Sequence, residues 1–108
     1  MAFGVLYPKY RAAQTYHDNL DHLKAVVKTT LVELQWPYKL EWGKDFVAEI
    51  PRSAFSYRHE IRVTISEHGE ITAESKSMDR EMFFDGGRNK TRVDRFFAKI
   101  DEVISRHH

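Results

Sequence analysis

With 108 residues, 42% of them hydrophobic and 31% charged, the chain is large enough for one buried core, too small for two, and too apolar for a disordered tail. The absence of cysteine removes disulfides, thiolate chemistry and cysteine zinc sites together, and a net charge of +1 gives no global field to hold nucleic acid. No stretch approaches the roughly 18 apolar residues of a membrane helix, and Pro8 and Lys9 interrupt the opening before a signal-peptide core could form. The expectation is therefore one cytoplasmic domain over residues 1–108 with no membrane span.

Residues 1–16 read either as a loose N-terminal arm or as an early helical turn, since Tyr10, Ala13 and Tyr16 continue the phase of the segment that follows. Asp18 or Asn19 can cap a helix by accepting a backbone N–H, and Asp21 puts negative charge where the macrodipole favours it. Leu20, Leu23, Val27, Leu31 and Leu34 then recur at helical spacing, which predicts a helix over 19–35. Pro37 ends it by forcing Trp36 toward extended geometry.

Trp36, Tyr38, Leu40 and Trp42 alternate with Pro37, Lys39 and Glu41, the period of a strand with one buried face. Gly43, Lys44 and Asp45 make a turn, and Phe46, Ala48 and Ile50 resume the alternation until Pro51 withdraws a backbone donor. These two strands read as a hairpin. The connector 51–58 carries Phe55 and Tyr57, at least one of which is expected to fold back over a core edge.

Ile61, Val63 and Ile65 define the inward side of a third strand, and Ile71, Ala73 and Ser75 that of a fourth. Parity fixes the turn between them. A two-residue loop at His68 and Gly69 would set Ile65 against Thr72 and send the two apolar sets to opposite faces. A three-residue loop, Glu67 to Gly69, instead pairs Ile65 with Ile71 and Val63 with Ala73, with Gly69 in the left-handed position. Outside, the same register sets Arg62 against Glu74 and Glu60 against Lys76.

Met78 to Phe84 is irregular, and Met82, Phe83 and Phe84 are apolar enough to plug one end of the core. Gly86 and Gly87 follow, Asn89 is a candidate cap, and Val93, Phe96, Phe97, Ile100, Val103 and Ile104 form the buried stripe of a last helix. The predicted architecture is α+β, with a helix, a four-stranded antiparallel sheet and a second helix, both helices lying on one sheet face.

Catalytic signatures are sparse. The six histidines fall at element ends, in a turn or at the terminus, with no helical metal-site spacing, and no nucleophile elbow, phosphate loop or dinucleotide fingerprint occurs. No cofactor, metal site or catalytic residue is assigned. Trp36, Tyr38 and Trp42 could line a hydrophobic pocket, but period-two aromatics fit a half-buried strand better. Asn89-Lys90-Thr91 matches a glycosylation sequon without a secretion signal to give it meaning.

One stretch departs from what stability alone would select. Arg88, Arg92, Arg95 and Lys99 recur on one helical stripe, with Lys90 nearby, and first-turn cations oppose the helix dipole by about 0.3–1 kcal/mol each. Gly86 and Gly87 sit just upstream, where a permissive backbone can turn N–H groups toward an anion. Gly86, Gly87, Arg88, Asn89, Lys90, Arg92, Arg95 and Lys99 are thus the candidate site for an anionic ligand or acidic protein. The opposing interpretation is that Asp85 and Asp94 neutralise the cations locally.

The run from Ile71 to Phe97, with Ser75 and Ser77 closing a strand and then Phe84, Asp85, Gly87, Asn89, Lys90, Val93 and Phe96, resembles a small uncharacterised bacterial domain family. Its pattern is F-D-x-G-x-N-x-x-x-V-x-x-F after a glycine-turned hairpin, and Gly86 stands here where that pattern has an aromatic. The resemblance implies a bacterial origin and the α+β order, and it carries no activity to transfer. The favoured function is a non-enzymatic binding or interaction module. A small-molecule pocket enzyme or enzyme accessory is the alternative from another class. Nucleic-acid binding through the basic stripe is weaker, because the exposed strand positions offer no aromatics for base stacking. Homodimerisation through the outer sheet face or a strand edge stays open.

Overall fold

Alternating strands and two amphipathic helices can bury their apolar sides only by meeting over one sheet face, and they do so here. The computed structural model describes residues 9–43, 45–50, 59–77 and 88–106. The connector 51–58, the passage 78–84 and the glycines at 86 and 87 lie outside the described residues. The order is β1 (Lys9–Thr15), α1 (Leu20–Glu33), β2 (Tyr38–Glu41), β3 (Asp45–Ile50), β4 (His59–Ile65), β5 (Glu70–Ser77) and α2 (Arg88–Ser105). The strands form a five-stranded sheet in the order β1-β5-β4-β3-β2, antiparallel throughout.

The expected four strands are thus five. Residues 9–15 are neither a loose arm nor a helical turn but an edge strand paired with β5, Ala12 facing Ala73 and Tyr10 facing Ser75. An edge strand with one neighbour has few inward positions to fill, and only Tyr10 and Ala12 of β1 pack against the core, so its alternation is faint. At its end, Tyr16 N–H donates to Gly69 C=O at 2.8 Å, and the Tyr16 hydroxyl lies 3.0 Å from Asp101 Oδ1 on α2. Burial and the Asp101 carboxylate together hold that phenol well above its usual range.

The β4–β5 register is the one parity requires, with Ile65 opposite Ile71, Val63 opposite Ala73 and Gly69 at φ +84°. Of the two outer charge pairs, Glu60 and Lys76 meet at 3.5 Å. Arg62, although opposite Glu74, reaches instead across β3 to Glu41 at 2.9 Å and Asp45 at 3.1 Å, tying the turn end of the β2–β3 hairpin to the sheet centre.

Asn19 caps α1, its Oδ1 accepting the His22 N–H at 2.8 Å. The helix ends in a Schellman arrangement: Gln35 at φ 60° donates its N–H to Val32 C=O, and Trp36 donates to Leu31 C=O, both at 3.0 Å. This reversal drops the Trp36 ring into the core before Pro37 begins the next strand. Glutamine holds a conformation that glycine adopts without a Cβ penalty. Gln35→Gly is therefore expected to raise stability by up to about 1 kcal/mol, once the extra unfolded-state freedom of glycine is subtracted, read as a higher denaturant midpoint at unchanged m-value.

Leu23, Val27 and Leu31 of α1 are fully buried as their spacing predicts, joined by Val26 and Thr30, while Leu20 and Leu34 are half-buried. Facing them are Phe46 and Ala48 of β3, Ile61 and Val63 of β4, and Ile71 and Ala73 of β5, with Val93, Phe96, Phe97, Ile100 and Val103 of α2 completing one continuous core. The β2–β3 hairpin departs from its expected pattern. Trp36 is 5% exposed, but Leu40 is 47% and Trp42 82% exposed. Backbone φ turns positive at Trp42, so the alternation ends at Glu41 and the ring belongs to the turn.

Candidate binding site at the start of the last helix

The site is built where β4 begins, β5 ends and α2 begins. Along β4 the inward parity of Ile61, Val63 and Ile65 extends back to His59, which is fully buried. On β5 the same parity carries Ser75 inward, and it too is fully buried. Asn89 reaches Ser75 from α2, its side-chain oxygen accepting the Ser75 Oγ–H at 2.8 Å with the residue 1% exposed. Asn89 is therefore not the cap expected from the sequence, because α2 already runs from Arg88 and Asn89 lies inside its first turn. A buried polar bond inside an apolar core resists sliding or rotation, since either would strand two desolvated groups. It fixes the first turn of α2 on the end of β5.

No acidic residue stands in that first turn, which carries Arg88 and Lys90. The predicted basic stripe then divides into groups with different environments. Lys90 Nζ lies 2.6 Å from Asp94 Oδ2 and 6.0 Å above the Tyr10 ring, and the Asp94 carboxylate raises its pKa. Asp94 thus answers one cation locally, while Asp85 and the two glycines lie outside the described residues. Arg92 is half-buried on the rim of the core. Arg95 is exposed and makes no ion pair among the described residues, facing a groove of about 300 Å³ between the two helices.

Lys99 belongs to a separate structural network. Its ammonium sits 3.2 Å from both Glu33 and Glu102, and Arg106 joins the same two carboxylates at 2.6 and 2.8 Å. The end of α1 is thereby tied to the last turns of α2. Hydrogen bonds from Arg106 and Lys99 hold the Glu33 and Glu102 carboxyls below their usual range. A depressed carboxyl pKa stabilises above the unfolded value and ceases to do so as pH falls through the folded one. Amides of 103–106 are expected to lose exchange protection as pH falls below the ordinary carboxylate range, and Glu33→Gln should produce the same loss at neutral pH, with high salt weakening the contrast.

Two shallow grooves mark the outer sheet face, one of about 340 Å³ bounded by Arg11, Arg62 and Glu74 and one of about 270 Å³ bounded by Lys39, Glu49 and Glu60. The walls of the first are charged or hydroxylated side chains, and the second adds Pro37 and Val47 to its charged rim. Of the aromatics weighed as pocket linings, Trp36 fills core and Tyr38 packs at 5.7 Å, ring to ring, on Phe46. No helix among the described residues is long and apolar enough to cross a membrane. Ser75 was expected on the inward side and is buried there, but its bond to Asn89 was not foreseen; His59 was missed because a histidine at a strand end looks peripheral, although strand parity carried two positions back from Ile61 places it inside. Compared with known families and with curated proteins, the chain matches no family model and no curated sequence, so the resemblance of the 71–97 run rests on those residues alone.

Proposed function

We propose that the protein is a small non-enzymatic binding module that takes an anionic ligand, or the acidic segment of a partner, at the first turns of α2. The carrying observation is the pairing of two opposed features in one turn: cations without any acid where the helix dipole disfavours them, on a backbone anchored by the buried Ser75–Asn89 bond. A rigid anchor fixes the backbone of this turn, and with it the positive end of the helix dipole, in place for negative charge, which would compete with Asp94 for Lys90. Arg95, one turn further and exposed, extends the positive side toward the inter-helix groove. Lys99, occupied by Glu33 and Glu102, contributes position more than free charge.

Charge reversal separates this site from general attraction. Arg95→Glu is expected to weaken pyrophosphate binding about fivefold, on the order of 1 kcal/mol, while Lys28→Glu on the exposed side of α1 leaves it nearly unchanged. Equal losses in the two variants, measured by calorimetry at matched ionic strength, would mean that the molecule attracts anions without a site.

A further inference from the structure

The tip of the β2–β3 hairpin is built against its own stability. Trp42 holds φ 53°, in the left-handed region that bulky side chains avoid, followed by Gly43 at φ 70°. The residue is 82% exposed, so core packing does not account for a tryptophan there, and Leu40, two residues before it on the same hairpin, is 47% exposed. Asparagine or glycine would make this turn with less strain. The charges at its base are balanced: Arg62 holds both Glu41 and Asp45, and Lys39 stands 3.9 Å from Glu41. No uncompensated carboxylate among the described residues therefore guards the tip.

From this combination we infer that the Trp42 tip is a membrane-contacting point, seating its indole in the interfacial layer of a phospholipid bilayer. An indole has an apolar body and one N–H donor, which suits the boundary between acyl chains and headgroups. A protein partner asks for a different surface, roughly 800 Å² a side around a desolvated centre, whereas one protruding ring beside one leucine offers a small insertion point. The charge-balanced base lowers the desolvation cost of approaching the headgroups. Contact of this kind is peripheral and reversible, and it leaves the α2 site facing its own ligand.

The full chain should co-sediment with phosphatidylcholine vesicles, and its tryptophan emission should shift to the blue on mixing, with quenching by lipids brominated on the acyl chains. Buried Trp36 supplies a constant background, so the change reports Trp42. Trp42→Asn should melt no lower than the parent, because turn strain is relieved, yet lose vesicle association by at least about tenfold. Trp42→Phe should keep part of that association. Absence of vesicle binding by the parent, equal binding by Trp42→Asn, or a lower melting temperature for Trp42→Asn would each overturn the proposal.

Discussion

Phe96→Ala is expected to cost about 3–5 kcal/mol, against a total stability of roughly 5–15 kcal/mol for a domain of this size. Phe96 is completely buried and meets Phe97 edge to face at 5.4 Å, where α2 closes over the sheet. Removing the ring loses its transfer free energy and leaves a cavity that two helices, fixed to each other by the Glu33 network, cannot readily collapse. Urea unfolding should show a much lower midpoint at unchanged m-value, and a change under 1 kcal/mol would mean that α2 does not close the core.

Gly69→Ala should cost about 2–5 kcal/mol, for two separable reasons. The residue holds φ +84°, where any Cβ adds about 1–2 kcal/mol, and an added Cβ would stand 2.3 Å from the Tyr16 carbonyl oxygen. That oxygen is backbone and cannot swing aside, so β1 must move and weaken the Tyr16–Gly69 hydrogen bond that secures its end. Gly43→Ala provides the comparison. Gly43 also has positive φ, +70°, but nothing lies within 4 Å of its Cβ position, so only the conformational part should appear. The difference between the two variants measures the clash, and hydrogen exchange in Gly69→Ala should show the amides of 10–16 losing protection before those of β3 and β4.

Legibility in the sequence followed how many positions of each element meet the core. The β4–β5 register could be read to the residue because two inward triads and two outward charge pairs all demanded one parity. The stripe Val93, Phe96, Phe97, Ile100 and Val103 was equally plain, each position buried. β1 was not legible, since Arg11, Ala13 and Thr15 face solvent and Tyr10 and Ala12 alone bear the pattern. Trp42 continued an apparent alternation through a reversal of backbone φ, which composition does not announce. The basic turn of the candidate site was visible as a breach of the dipole rule, but the Ser75–Asn89 anchor beneath it joins two elements and was hidden from local reading. Arg62 likewise passed over its cross-strand partner Glu74 for two carboxylates on the next hairpin, a choice set by sheet width and side-chain reach.

Anion binding at the first turns of α2 is tested most directly by an amide-resolved NMR titration with inorganic phosphate. The amides of residues 88–92 and the Asn89 side-chain NH₂ should shift saturably along one curve, with the outer-face positions of β4 and β5 unmoved. Shifts spread evenly over exposed lysines and arginines, or none at 88–92 up to the phosphate level that saturates weak anion sites, would contradict it.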